Sequence, residues 1–99
     1  MNSSLISTLL HAYRTTLSSE IIIFSENFYK VGSLHFSLGE IRAAFAQDYQ
    51  GEEALDYLYR EEWSGTNFNY QVLDGLSLYA ENIGREKFSE ILFCIWLQF

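Results

Sequence analysis

Glycine spacing limits how long any element of this chain can be. From residue 32 onwards a glycine recurs every seven to fourteen residues, and glycines at such intervals punctuate a chain into short elements. The 99 residues contain no proline, no Pro/Gly/Ser-rich linker, no low-complexity tract and no internal repeat. We therefore expect a single domain over residues 1–99, large enough for one hydrophobic core.

Helical periodicity dominates the chain. Apolar side chains recur every three or four positions in residues 5–17, 52–63 and 72–83, which predicts three amphipathic helices. The apolar tail, residues 91–99, fits either a helix face or a fully buried strand. The charged residues before it favour the helix.

A further helix is predicted from a capping motif. Ser37 and Glu40 match a capping box, in which the serine hydroxyl and the glutamate carboxylate each bond the backbone at a helix start. The helix should then begin at Leu38. The side chains that it would bury are Ile41, Ala44 and Phe45.

Residues 20–36 are the exception to the helical pattern. A β-branched run ends at Phe24, and residues 28–31 and 34–36 resemble two short strands around a Gly32-Ser33 turn. The predicted fold class is therefore α+β. We expect a mostly helical domain, with four to five helices and a small antiparallel hairpin or sheet in residues 20–36.

Composition excludes several function classes. One cysteine and two histidines are too few for a disulfide scaffold or a four-ligand zinc site. A net charge of −7 argues against direct binding of nucleic acid, which needs clustered Lys and Arg. The sequence indicates no metal and no cofactor.

The sequence also shows no targeting signal. The N-terminus lacks the basic segment and the uninterrupted apolar run of a signal peptide. The apolar tail has nine residues, about half of what a spanning helix needs. We expect a cytoplasmic protein without membrane contact, and a free thiol fits that reducing compartment.

Candidate catalytic residues are few and scattered. His11 and His35 belong to no ligand or nucleophile motif, and they serve a metal or acid–base site only if distant segments converge. Apolar neighbours should keep the Cys94 thiol inert. Paired carboxylates such as Glu52 and Glu53 are predicted to face solvent, whereas general acid–base work needs one buried carboxylate beside another that stays ionised. We expect no catalytic residue and no enzyme activity.

The most distinctive feature is an acidic segment, residues 48–62, that holds six carboxylates against one arginine. As one helix it would span about 22 Å, with a charge density of the same order as the one phosphate per about 3.4 Å of a nucleic acid strand. Aromatic side chains are interleaved with the acids. The residues that we predict to bind a partner are Asp48, Tyr49, Glu52, Glu53, Asp56, Tyr57, Glu61, Glu62 and Trp63. Such a run is also typical of a merely solvated helix face, so both interpretations stay open.

These features favour a non-catalytic inhibitor that docks on the basic, nucleic-acid-binding surface of a partner enzyme. In size, charge and composition, although in no motif, the chain resembles small phage-encoded anti-CRISPR and anti-restriction proteins, some of which imitate DNA. One alternative is an immunity protein or antitoxin that neutralises a basic toxin nuclease. Another is a subunit of a homo- or hetero-oligomer, for example a homodimer, that uses the apolar tail, residues 91–99, as its interface.

Overall fold

The computed structural model of the protein describes residues 4–73 and 81–97. In chain order the elements are α1 (Ser4–Thr15), β1 (Glu20–Phe24), β2 (Lys30–Ser37), β3 (Glu40–Ala46), β4 (Tyr49–Gln50), α2 (Glu52–Trp63), β5 (Asn69–Leu73) and α3 (Arg85–Leu97). The fold class is α+β. Within the described residues there are three helices and five strands, so the prediction of a mostly helical domain with four to five helices is wrong.

The strands form one antiparallel sheet in the order β4-β3-β2-β1-β5. In its centre Leu34 lies opposite both Ile21 of β1 and Ala44 of β3. Side chains alternate between the faces of a sheet, so these three share one face, and all three are fully or almost fully buried in the core. Ser33 and His35, on either side of Leu34, therefore point to the opposite face.

The helices supply the other half of the core. Helices α1 and α2 each turn an apolar stripe inward, as their periodicity predicts. The buried side chains of these two stripes are Leu5, Ile6, Leu9, Ala12, Ala54, Leu55 and Leu58. Full burial of one leucine or isoleucine side chain stabilises a fold by about 1.5–3 kcal/mol. Within the described ranges, every helix is too short or too polar to cross a bilayer.

The helix predicted to begin at Leu38 is a strand instead. Leu38 and Gly39 adopt φ angles of 52° and 85°, as in the two-residue turns that join antiparallel strands, and β3 follows. A Cβ atom on Gly39 would lie 3.0 Å from the carbonyl oxygens of Ala12 and Tyr13, so the turn packs directly on the end of α1. Because β3 is buried between two neighbouring strands, sheet context overrides its helix-like spacing.

The turn predicted at Gly32-Ser33 lies inside β2. Both residues pair with β1 and with β3, and the true hairpin turn is at Ser25, whose N–H donates to the Tyr29 carbonyl at 2.8 Å. A Cβ on Gly32 would overlap the Phe45 carbonyl oxygen of β3. This glycine marks a close approach of two backbones rather than a turn.

The remaining helix predictions have mixed outcomes. The helices predicted at 5–17 and 52–63 are confirmed as α1 and α2. The helix predicted for 72–83 begins in β5, and residues 74–80 lie outside the described residues. The apolar tail is helical in α3 up to Leu97.

Candidate functional site

Helix α2 carries most of the acidic segment, and its sequence explains both of its ends. Glu52 and Glu53 occupy the first turn, where carboxylates interact favourably with the helix dipole. At the other end Gly65 has a φ of 105°, and the Thr66 N–H donates to the Glu61 carbonyl at 2.9 Å. This is the pattern of a helix terminated by a left-handed glycine.

The outer face of α2 is acidic because its inner face is fixed in the core. Ala54 and Leu58 are fully buried, so the side chains on the opposite side of the helix face solvent. Glu52, Glu53 and Asp56 are all exposed. The helix has 12 residues and spans about 18 Å, somewhat less than the sequence suggests.

Asp48 is exposed but does not belong to this helix. It lies between β3 and β4, and Gly51, with a φ of 64°, redirects the chain before Glu52. The prediction of one helix over residues 48–62 is therefore wrong at its start, and only the part from Glu52 onwards is helical.

Glu62 departs most clearly from its predicted role, because it is only 7% exposed. Its carboxylate accepts hydrogen bonds from the Leu5 N–H, at 3.0 and 3.3 Å, and from the Tyr70 hydroxyl at 3.1 Å. Leu5 is in the first turn of α1, where backbone N–H groups lack helical partners and the dipole favours an anion. Glu62 thus ties α2 to the N-terminus of α1 and to β5.

The other carboxylates of α2 make weak, solvent-exposed contacts. Asp56 pairs with Arg60 at 3.0 Å, and Glu52 pairs with Lys87 of α3 at 3.5 Å. The Lys87 pKa is raised, mainly by its hydrogen bond to Glu90 and then by Glu52. Glu53 has no ion pair within 4–73 and 81–97. Exposed pairs contribute little to stability, so these acids are available to an incoming cation.

Two aromatic stacks flank the acidic face. Tyr49 of β4 stacks on Tyr57 with ring centroids 5.3 Å apart, and Tyr59 stacks on Trp63 at 6.3 Å. Tyr57 lies one helical turn after Glu53. Trp63, which is 66% exposed, lies two helical turns after Asp56 on the same side of the helix. Exposed ring faces beside carboxylates suit the stacking of arginine side chains.

The β1–β2 hairpin tip is an exposed feature that the sequence prediction missed. Phe28 and Tyr29 are 77% and 75% exposed, and Phe28 has a φ of 64°, which costs a bulky residue roughly 1 kcal/mol. Glu26 beside them accepts a hydrogen bond from Asn67 at 3.0 Å, which links the tip to the loop after α2. Aromatic residues favour strands by propensity, and that signal hides the turn.

A buried polar cluster on the other face of the sheet contains residue types of a catalytic triad. His35 Nε2 lies 3.1 Å from Ser33 Oγ and 3.7 Å from Glu20 Oε2. In a triad the serine and the acid occupy different imidazole nitrogens. Here Ser33 and Glu20 both lie nearest the same nitrogen, Nε2, so the cluster lacks the arrangement of a triad. Burial lowers the His35 pKa, although Glu20 opposes this effect.

The histidines do not meet. His11 is exposed on α1, in the helix layer, whereas His35 points to the opposite face of the sheet. In the described part of the chain no group of three or more His, Cys, Asp and Glu side chains is arranged to hold a metal ion. The predicted surroundings of the Cys94 thiol lie outside the described side chains.

Of the predicted partner-binding residues, the structure brings Glu52, Glu53, Asp56 and Glu61 together on α2, places the two aromatic stacks beside them, and buries Glu62. The chain matches no protein-family model, no curated protein and no solved structure.

Proposed function

We propose that the protein acts by binding, and that the acidic and aromatic face of α2 docks on a basic surface of another protein and blocks it. The observation that supports this most directly is the run of exposed carboxylates at Glu52, Glu53 and Asp56 between two aromatic stacks. Long-range attraction would steer a basic partner to this face, and the rings would anchor it.

The partner that fits best is a nucleic-acid-binding enzyme. The three exposed carboxylates of α2, Glu52, Glu53 and Asp56, lie within about 6 Å of helix axis, which approaches the phosphate spacing of one nucleic acid strand. A basic channel that accepts a phosphate backbone would accept this face. An anti-CRISPR or anti-restriction inhibitor and an immunity protein share this chemistry, and a neighbouring toxin gene would identify the second.

An affinity experiment tests the proposal. The full chain and the variant Glu52→Lys, Glu53→Lys, Asp56→Lys are immobilised separately, and the proteins retained from a bacterial lysate are identified by mass spectrometry. We expect basic nucleic-acid-binding proteins on the native chain, their loss from the variant, and their release as salt rises, because salt screens exposed charges.

The matched control moves the same charge reversal away from the face. Glu26, Glu81 and Glu86 are exposed carboxylates outside α2, and their triple lysine variant has the same net charge as the first. It should retain the partners. Equal loss from both variants, or retention that ignores salt, would contradict docking through α2.

A further inference from the structure

The two edge strands of the sheet differ in whether other residues bond their outward backbone groups. At one edge β4 has only two residues, and Asn82 closes the rest of β3. Its side-chain amide accepts from the Ala44 N–H at 3.0 Å and donates to the Ala44 carbonyl at 3.1 Å. The N–H groups of Asn82 and Ile83 both donate to the Arg42 carbonyl at 3.0 Å. This edge is blocked against another strand.

The other edge, β5, is open within the described residues. All five of its residues pair with β1 in an uninterrupted register, and no described residue bonds the backbone groups on its outer side. Val72 and Leu73 are 47% and 43% exposed. Proteins usually protect such an edge with lysine, proline or a bulge, and Asn69–Leu73 has none of these.

We propose that β5 pairs antiparallel with β5 of a second copy of this chain, so that two five-stranded sheets become one ten-stranded sheet. Two identical antiparallel strands are complementary by two-fold symmetry. With Gln71 on the axis, Tyr70 lies opposite Val72 of the second copy, a favourable pair of aromatic and β-branched side chains. This pairing would also cover part of the exposed Val72 side chain.

Charge favours a second copy at this strand in particular. Each chain carries a net charge of −7, so most surfaces of two copies repel each other. Strand β5 has no charged side chain, and pairing it sets no like charges directly opposite one another. Salt screens the remaining repulsion and should tighten this dimer, whereas it should weaken docking of a basic partner. The two proposals can therefore fail independently.

Sedimentation velocity of the full chain, at 1 to 200 µM in 50 and 300 mM NaCl, tests the pairing. We expect a monomer–dimer equilibrium that shifts toward dimer at the higher salt. Gln71→Lys places two lysines together on the two-fold axis and should weaken the dimer by roughly two- to fivefold. Gln50→Lys, the same substitution on the exposed opposite edge, should leave it unchanged.

Two results would overturn the proposal. One is a native chain that stays monomeric at 200 µM in 300 mM NaCl. The other is a dimer that both lysine variants weaken equally, which would assign it to another surface such as the tail. If Gln71→Lys does not fold, amide hydrogen exchange of the native chain decides. Alternate amides of β5 must become more protected as concentration rises, and unchanged protection would refute the pairing.

Discussion

Neighbouring carboxylates in this chain have different roles because of what surrounds them. Glu61 is half-buried and accepts one hydrogen bond, from the Thr66 hydroxyl at 3.2 Å. Glu62 accepts from α1 and from β5, so hydrogen-bond donors on two other elements satisfy its buried carboxylate. A buried carboxylate that loses such donors is strongly destabilised, so Glu62 belongs to the fold and not to the binding face.

Glu62→Gln is expected to lower the free energy of unfolding by about 2 kcal/mol. Glutamine carries no charge, so the charge-assisted hydrogen bonds from Leu5 and Tyr70 are replaced by weaker neutral ones. Urea denaturation followed by circular dichroism measures the loss. Glu53→Gln, on the exposed face of the same helix, should change stability by less than about 0.5 kcal/mol. Similar losses in both variants would contradict the assigned role.

Tyr70 should make stability depend on pH in the alkaline range. Burial, together with the charge and the hydrogen bond of Glu62, raises its pKa far above the ordinary value. In the unfolded chain the hydroxyl ionises near pH 10, while in the folded chain it stays protonated. The stability that depends on this proton is therefore complete below pH 10 and is lost as pH rises above it.

The comparison is between the native chain and Tyr70→Phe, by urea denaturation from pH 7 to pH 11. The difference in unfolding free energy should be constant up to about pH 9 and should then shift in favour of the variant. A difference that remains constant up to pH 11 would show that the unfolded and folded chains bind this proton equally.

At the scale of elements, strand β2 depends on one glycine. A Cβ atom at Gly32 would meet backbone atoms of Phe45 and Ala46, including the Ala46 Cα at 2.8 Å. Backbone atoms in the middle of a sheet cannot move aside as a flexible side chain can. The separation of β2 and β3 is set by this residue.

Gly32→Ala is expected to cost about 3 kcal/mol of stability, measured by thermal or urea unfolding. Gly84→Ala is the matched control, because a Cβ there meets nothing within 4 Å. We expect the control to lose less than about 1 kcal/mol. A Gly32→Ala protein as stable as the control would mean that the two strands separate at little cost.

Periodicity predicts α1 and α2 correctly but fails at Val72 and Leu73, which have the same spacing and pair with β1 as part of β5. In β3 the positions of Ile41, Ala44 and Phe45 fit a helix equally well, and pairing of all three with β2 is what makes the segment a strand. The same limit applies to the candidate site, since local spacing places Glu53 outside but cannot reveal the donors that bury Glu62.

At the scale of the whole molecule, the order of strands in the sheet predicts which backbone amides exchange last with solvent. Strands β1, β2 and β3 are paired on both sides, while β5 is paired on one side within the described residues. Amides that open only on global unfolding should therefore lie in the central strands, for example at Ile23 and Leu34, both of which are fully buried.

Native-state hydrogen exchange at low micromolar concentration, where the proposed dimer dissociates, measures this order. Protection should fall from the central strands towards β5. Slowest exchange in α3 or in β5 would contradict a core centred on the three inner strands.

Because Asn82 closes one edge of the sheet, it also limits how many copies can join. A subunit with two open strand edges could pair with one copy at each edge. Every added copy would then leave an open edge to which the next copy can join. With one edge closed by the Asn82 amide, pairing through β5 uses the one strand edge that is open among the described residues. Assembly through β5 then stops at two copies, and the residue that terminates growth lies at the edge opposite the one that joins.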